Sequence, residues 1–190
     1  MAAPPTPSPH ASGAPGLDAG ATPGLGVQGV RLSYHPAHPV IEDLTTAVTP
    51  GAVTMIVGPN ACGKSTLLRA LSRVISPDAG QVVLDGRDIA TLAPKQLARR
   101  VGLLAQSSIA PASITVHELV ARGRYPHQSI LHQWSAADDE AVSEAMERTH
   151  VDVLAARRVS SLSGGQRQRV WVAMALAQRT DVLLLDEPTT

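Results

Sequence analysis

The sequence contains no phenylalanine, one cysteine and very few aromatic side chains, which make up 2% of its residues. One cysteine cannot form an intrachain disulfide, so a disulfide scaffold is excluded and a reducing compartment is indicated. The formal net charge is zero, whereas a dedicated nucleic-acid-binding protein usually carries a basic excess. No apolar run approaches the roughly 20 residues that a membrane-spanning helix needs, and the N-terminus lacks the features of a secretion signal. We therefore expect a soluble, cytosolic protein that binds no nucleic acid and builds its core from aliphatic side chains.

Composition divides the 190 residues into a tail and one folded domain. Residues 1–26 are rich in Pro, Ala, Gly, Ser and Thr and cannot offset the entropy of ordering, so the sequence predicts a disordered tail. Residues 27–190 suffice for one domain with a subdomain. Strand patterns disappear between residues 107 and about 165, which predicts a mostly helical subdomain inserted into an α/β core.

The strand patterns of the first half predict an antiparallel hairpin followed by a buried strand. Val27–Tyr34 and Val40–Val48 are predicted to form the hairpin, and the β-branched apolar run Val53–Val57 is predicted to be the buried strand. The helix after it is predicted to run to about Ile75. Further elements are predicted as a strand at 81–86, a helix at 94–100, a strand at 101–104, and helices at 115–123 and 135–150.

A glycine-rich loop connects the predicted buried strand to the helix that follows. It reads Gly58-Pro59-Asn60-Ala61-Cys62-Gly63-Lys64-Ser65-Thr66, the pattern Gly, four residues, Gly-Lys-Ser. Between a strand and a helix, such a loop turns its backbone N–H groups toward phosphate, assisted by the positive end of the helix dipole. Lys64 adds a positive charge for the β- and γ-phosphates, and the Ser65 hydroxyl can complete a Mg²⁺ shell. Ala61 stands where such loops often carry glycine, so its backbone must avoid positive φ or accept strain.

An apolar run that ends in two acidic residues lies near the end of the sequence. Val182–Leu185 is predicted to be a strand buried on both faces, and Asp186 and Glu187 follow it. At the carboxyl end of such a strand, Asp186 can hold Mg²⁺ directly or through water, and Glu187 can polarise an attacking water as general base. The alternative is a strand end with two solvated acids, which the presence of a phosphate loop disfavours.

The segment Leu162-Ser163-Gly164-Gly165-Gln166 opens a predicted helix that runs through Leu176. Ser163 is a good N-cap, and Gly164 and Gly165 expose backbone N–H groups, so this helix start is a second anion-binding end. The alternative is a simple capped helix. Two phosphate-binding ends on separate lobes of one chain make sense if they serve two different nucleotide molecules.

At these residues the sequence resembles the nucleotide-binding subunits of ABC transporters, over residues 27–190. The resemblance implies an α/β fold of the P-loop NTPase type, with an N-terminal antiparallel β subdomain and an inserted α-helical subdomain. The glycine loop resembles the Walker A motif, and Gln106 resembles the Q-loop glutamine. Residues 162–166 resemble the LSGGQ signature, and residues 183–187 resemble the Walker B motif with its catalytic glutamate. Tyr34 matches the aromatic residue that stacks on adenine, although a strand-end tyrosine that packs on the core is an alternative.

A narrower resemblance is to bacterial ferric-siderophore importers of the enterobactin type. Three segments carry it, namely Gly102–Gln106, Glu118–Gln128 and Ala173–Gln178. Heme and cobalamin importers are close relatives of that subfamily, so they remain alternatives.

The resemblance implies an ATPase that converts ATP to ADP and phosphate at the cytoplasmic face of the bacterial cell membrane. In a head-to-tail homodimer, ATP binds the glycine loop of one subunit and residues 163–166 of the other. The implied catalytic residues are Lys64, Gln106 and Glu187, and the implied Mg²⁺ ligands are Ser65, Gln106 and Asp186. The implied partners are an integral-membrane permease, which contacts the helical subdomain, and indirectly a substrate-binding protein.

The sequence stops at Thr190, whereas the family continues with a D-loop and a switch histidine on a further strand. We therefore expect a C-terminally truncated chain that binds ATP weakly and turns it over poorly. An inert remnant that only binds nucleotide or a partner is an alternative. An ABC-type ATPase acting on DNA or ribosomes is another. The short stretch between Gln106 and Ser163 leaves no room for the coiled coil of DNA-repair members, and the chain lacks the second cassette and charged linker of ribosomal ones.

Overall fold

The computed structural model describes residues 24–35, 38–106, 110–111, 113–128 and 134–186. Leu25 and Gly26 belong to the first strand, so the folded part begins slightly before the predicted boundary at residue 27. The rest of the predicted disordered tail, residues 1–23, lies outside the described residues.

An antiparallel sheet of four strands is built from the N-terminal part of the chain. β1 (Leu25–His35) pairs with β2 (His38–Ala47) on one side and with β3 (Ala79–Leu84) on the other, and β3 pairs with the short β4 (Arg87–Asp88). The predicted hairpin and the strand that follows the first helix are confirmed. Asp85 and Gly86 connect β3 to β4 with φ angles of 50° and 75°, which is the tight turn that Asp-Gly sequences favour.

The rest of the described chain contains five α-helices and a parallel strand pair. The helices are α1 (Lys64–Leu71), α2 (Pro94–Arg100), α3 (Val116–Ala121), α4 (Ala136–Arg148) and α5 (Gly164–Ala177), and the parallel strands are β5 (Val101–Leu104) and β6 (Val182–Leu185). These positions agree with the predicted elements, except that α1 ends at Leu71 rather than near Ile75. Arg73 has a φ of 58°, and a left-handed residue cannot continue a right-handed helix.

Two predictions about buried strands are wrong for this chain. Val53–Val57 forms no strand, and Val53 and Met55 are 95% and 79% exposed. β6 is not buried on both faces, because Leu185 is 41% exposed. Both errors have one cause: among the described residues no strand pairs with Val53–Val57, and β6 has a single neighbour, β5. An apolar run becomes a buried strand only where neighbouring elements cover it.

Buried side chains form two separate hydrophobic clusters. The first includes Val27 of β1 and Leu68 of α1 and lies between the antiparallel sheet, α1, α2 and the parallel strands. The second includes Val120 of α3, Val142 of α4 and Val170 of α5. A helical layer with its own core fits the predicted subdomain, whose boundaries stay predictions. In the described ranges, no helix is long and apolar enough to cross a membrane.

Candidate nucleotide-binding site

The loop Gly58–Gly63 ends in a glycine that the local packing requires. Gly63 has a φ of 99°, and a Cβ atom there would lie 2.9 Å from Val40 Cγ1 and 3.1 Å from Ile41 Cγ1. Ala61 accepts the strained conformation, with a φ of 63°. No side chain caps the start of α1, so the first N–H groups of this helix are available to a ligand of the loop.

Lys64 folds back over the loop that precedes it. Its Nζ donates hydrogen bonds to the carbonyl oxygens of Gly58 at 3.0 Å and Pro59 at 2.8 Å, and it lies 4.0 Å from Cys62 Sγ. Two neutral carbonyls therefore hold the ammonium group beside the loop backbone. A phosphate oxygen is a stronger, charge-assisted partner for the same group. This geometry fits the phosphate-binding role of Lys64, which stays a prediction.

Ser65 and Asp186 meet in the structure although they are 121 positions apart in the sequence. Ser65 Oγ donates a hydrogen bond of 2.8 Å to Asp186 Oδ1. Asp186 is 6% exposed, and its N–H donates to the carbonyl of Leu104, which joins the end of β6 to the end of β5. A hydroxyl and a carboxylate side by side suit Mg²⁺, which prefers oxygen ligands. The predicted phosphate loop and the predicted acidic strand end thus lie next to each other.

Tyr34, near the end of β1, lies beside the first turn of α1. Its hydroxyl accepts hydrogen bonds from Thr66 Oγ1 at 3.1 Å and from Arg69 Nη1 at 3.3 Å. The residue is 63% exposed, which does not support the alternative that it packs into the core. A ring that is held by its hydroxyl and open to solvent can stack on a base, and that role stays a prediction.

Ser163 caps α5 through a reciprocal pair of hydrogen bonds. Its Oγ accepts from the Gln166 N–H at 3.3 Å, and Gln166 Oε1 accepts from the Ser163 N–H at 3.1 Å. A Cβ atom added at Gly164 or Gly165 would meet nothing within 4 Å. The described chain therefore contains no packing reason for glycine at either position. Glycine here permits the close approach of another molecule to the helix backbone.

The other predicted site residues are placed as follows. Gln106 is exposed and comes two residues after β5, which pairs in parallel with β6, so it emerges at the same sheet edge as Asp186. Glu187 lies outside the described residues, and its role as general base stays a prediction. Thr66 is buried in α1. The exposed members of the loop are Gly58, Pro59, Asn60, Ala61 and Cys62.

Arg100 was missed by sequence reasoning, and it fixes the start of β6. Its Nη2 lies 2.6 Å from Asp85 Oδ2, and its Nε forms an ion pair with Asp181, the residue before β6. A hydrogen bond from the Gly24 N–H, followed by the Arg100 guanidinium, holds the pKa of Asp85 below its usual range. The partners of Arg100 lie far from it along the chain, so no local pattern could have revealed this network.

A buried ion pair at the far end of α5 was also missed. Arg124 Nε lies 2.7 Å from Asp138 Oδ1, and the side chains are 7% and 8% exposed. Burial alone raises the pKa of Asp138, but hydrogen bonds from Arg124 and Ser135 outweigh it, so the pKa is lowered. Arg124 Nη1 also donates to the carbonyl of Ala177 at 2.8 Å. Arg124 thereby anchors the C-terminal end of the helix that Ser163 caps.

The sequence profile of the ABC transporter family matches residues 41–190. The chain belongs to the ABC transporter family. The matched range takes in the glycine loop, the capped start of α5 and the acidic end of β6. The predicted family and the predicted α/β P-loop NTPase fold class are thereby confirmed.

Curated relatives are ATP-binding proteins of transport and import systems. The chain is 57% identical over 151 residues to the ferric enterobactin transport ATP-binding protein FepC of Escherichia coli (strain K12), covering 80% of this chain and 56% of that protein. It is 47% identical over 151 residues to the iron(3+)-hydroxamate import ATP-binding protein FhuC of Bacillus subtilis (strain 168), covering 80% of this chain and 55% of that protein. A cobalamin import ATP-binding protein, BtuD of Halobacterium salinarum (strain ATCC 29341 / DSM 671 / R1), is 43% identical over 150 residues, which are 79% of this chain and 37% of that protein. The chain thus spans little more than half the length of the two iron-related relatives.

Solved structures of the same fold include a nucleotide-free ATP-binding cassette from an ABC transporter, with a TM-score of 0.74 and 25% identity over 87% of this chain and 69% of that chain. They also include a bacterial Atm1-family ABC exporter with ATP bound, with a TM-score of 0.76 and 28% identity over 88% of this chain and 29% of that chain. The fold likeness extends to an exporter, so it does not by itself distinguish import from export.

Proposed function

We propose that this chain binds ATP at its glycine loop and forms the nucleotide-binding part of an ABC importer subunit that powers uptake of ferric siderophores. The hydrogen bond between Ser65 Oγ and Asp186 Oδ1 carries the nucleotide part of this proposal, because it joins the phosphate loop to the acidic strand end. The identity to siderophore transport proteins supports the substrate part.

The residues of the site divide the recognition of ATP among them. The loop N–H groups and the start of α1 bind phosphate oxygens, and Lys64 leaves its two carbonyl partners to pair with the β- and γ-phosphates. Tyr34 stacks on adenine. Ser65, Asp186 and Gln106 are the residues that would hold Mg²⁺, which neutralises phosphate charge when it is bound.

A second copy of the chain supplies the remaining phosphate contacts in this proposal. The start of α5, at Ser163–Gln166, offers backbone N–H groups and the positive end of a helix of 14 residues. Its two glycines face open space, which supports close approach by the nucleotide of a facing subunit. Closure of the pair on ATP and opening after hydrolysis would drive a permease, with the chain at the cytoplasmic face of the membrane. A substrate-binding protein would deliver the chelate to the permease, so the chelate would not touch this chain.

Heme and cobalamin are the alternative substrates. The cobalamin import relative is 43% identical to this chain, against 57% for the ferric enterobactin relative. This difference over nearly the same stretch favours the siderophore.

The chain's single cysteine lies inside the proposed site and can report on ATP binding. Cys62 is exposed, so a maleimide should label it in the chain alone. We expect saturating Mg·ATP to slow labelling by roughly tenfold or more, because bound phosphates would cover the loop. Lys64→Ala should abolish this protection. Lys95→Ala is the matched control, since the only other lysine of the sequence donates to the carbonyl of Gln128 rather than to the loop.

The two lysine variants test whether ATP binds at the glycine loop through Lys64. Equal protection by Mg·ATP in Lys64→Ala and Lys95→Ala would show that protection of Cys62 does not require Lys64, which would contradict the proposed phosphate-binding role of this lysine. Loss of protection in both would show that the chain's overall state, rather than the loop, controls labelling.

Hydrolysis is proposed to depend on Glu187, the residue after Asp186. Glu187→Gln keeps the size of the side chain and removes the base, so phosphate release should fall about a hundredfold or more while Mg·ATP still protects Cys62. Glu147→Gln, an exposed glutamate of α4, is the control. Unchanged phosphate release by Glu187→Gln would contradict the assignment of the base.

A further inference from the structure

Two side chains of α1, Thr66 and Arg69, anchor the hydroxyl of Tyr34. Thr66 Oγ1 donates to the hydroxyl oxygen at 3.1 Å and Arg69 Nη1 donates to it at 3.3 Å. Thr66 and Arg69 are three positions apart in the helix, so their side chains lie on the same face of α1. The hydroxyl is therefore held by two donors that belong to one rigid element.

Stability of the fold does not explain this anchor. The Tyr34 side chain is 63% exposed, so its ring gains little from the removal of apolar surface from water. Arg69 is exposed as well, and a hydrogen bond at the surface replaces bonds that both groups would otherwise make to water. The anchor thus contributes little to the free energy of unfolding, and its main effect is on the freedom of the ring.

The anchor fixes both ends of the tyrosine side chain. The backbone of β1 fixes the Cβ atom, and the two donors fix the hydroxyl oxygen. Both atoms lie on the long axis of the ring, so the ring keeps its place and can turn only about that axis. An unanchored surface tyrosine populates several χ1 rotamers, and ordering it on binding costs free energy.

The helix that anchors the ring also begins at the phosphate loop. α1 starts at Lys64, and Ser65 in its first turn donates to Asp186. Arg69 lies about 7.5 Å farther along the helix axis than Lys64, at a rise of about 1.5 Å per residue. One helix therefore sets the distance between the Tyr34 hydroxyl and the phosphate loop, so that ring and loop form a preorganised surface for one nucleotide.

We propose that Arg69 is a positioning residue for the base of the bound nucleotide and acts through the Tyr34 hydroxyl. This inference rests on the proposed function, because it requires ATP at the glycine loop with its base on Tyr34. Arg69 fixes the ring before ATP arrives and does not itself touch the base. Without Arg69, part of the ordering of the ring takes place during binding, which weakens affinity roughly two- to tenfold.

The test compares Mg·ATP with Mg·tripolyphosphate, which carries the phosphates but no base. For each ligand, the concentration that halves the rate of maleimide labelling of Cys62 is measured. Arg69→Ala should raise this concentration roughly fivefold for ATP and leave it unchanged for tripolyphosphate. Arg31→Ala is the matched control, because it removes an exposed arginine from the strand that carries Tyr34, and it should change neither concentration.

Tyr34→Phe shows whether Arg69 acts through the hydroxyl. This variant keeps the ring and removes the acceptor of both hydrogen bonds, so it should weaken ATP binding at least as much as Arg69→Ala does. Adding Arg69→Ala to Tyr34→Phe should cause no further loss, because the acceptor of Arg69 is already gone.

Three results would overturn the proposal. If Arg69→Ala weakens ATP and tripolyphosphate binding by the same factor, Arg69 acts on the phosphates or on the loop instead of the base. If Arg69→Ala causes a further loss of ATP binding in the Tyr34→Phe chain, Arg69 acts without the hydroxyl. If Mg·ATP does not protect Cys62 in the unmutated chain, the nucleotide site and this inference fail together, whereas the first two results contradict the role of Arg69 alone.

Discussion

Replacing Arg124 with alanine should destabilise the fold far more than removing an exposed arginine. Arg124 pairs with Asp138 at 2.7 Å, and both side chains are less than a tenth exposed. The same guanidinium donates to the carbonyl of Ala177 at 2.8 Å. Breaking a buried pair by removing one partner typically costs about 3–5 kcal/mol, because the other charge remains buried and unpaired. Asp138 retains its bonds from Ser135, so we expect the loss to lie near the lower end of that range.

The control is Arg148→Ala on α4. Arg148 pairs with Glu144 at 2.8 Å, but its side chain is 68% exposed. Water and salt screen an exposed pair of this kind, so its contribution to the free energy of unfolding is small. Urea unfolding followed by circular dichroism gives the free energy of unfolding for both variants and for the unmutated chain. In thermal unfolding, a loss of about 3 kcal/mol corresponds to about 6–12 °C for a chain of this size.

The reasoning is refuted if Arg124→Ala and Arg148→Ala differ by less than about 1 kcal/mol. A double-mutant cycle with Asp138→Asn isolates the pair itself. We expect the two single changes to be strongly non-additive, because each of them breaks the same ion pair. Additive effects would show that the two side chains stabilise the fold independently.

Two further predictions concern the loop and the response to acid. Gly63→Ala should lower both the free energy of unfolding and the protection of Cys62 by ATP, since the new Cβ would lie 2.9 Å from Val40 and the φ of Gly63 is 99°. Gly51→Ala is the control, because Gly51 has a φ of 69° and open space around it, so this variant should show only the smaller cost of backbone strain. Equal losses of stability in the two variants would show that the contact with Val40 contributes nothing. Because the folded-state pKa of Asp138 is lowered, its stabilisation is complete above the unfolded pKa of about 3.9 and is lost as the pH falls through the lower folded value. The free energy of unfolding of Asp138→Asn should therefore depend less on pH below about 4 than that of the unmutated chain, and identical pH profiles would contradict this.

Short contiguous patterns predicted most of the site. The glycine loop, the acidic end of β6 and the capped start of α5 each depend on residues that are neighbours in the chain. Local rules therefore apply to them directly, and Ser163 indeed caps α5. Predicted and observed bounds agree best for the helices and strands that have turn or cap residues at their ends.

Contacts between distant residues could not be predicted in this way. Three such contacts join segments that no sequence pattern connects. They are the hydrogen bond between Ser65 and Asp186, the ion pairs of Arg100 and the buried pair of Arg124 with Asp138. From the sequence, Ala61 could either avoid positive φ or accept backbone strain, and in the structure its φ is positive.

The sequence by itself determined which groups can bind phosphate, because N–H groups of a loop and a helix start are fixed by local residues. Only the tertiary structure decided which apolar runs become buried strands. Val53–Val57 has the composition of one and remains exposed, because a strand is stabilised by neighbours on both sides and the described chain places none beside it.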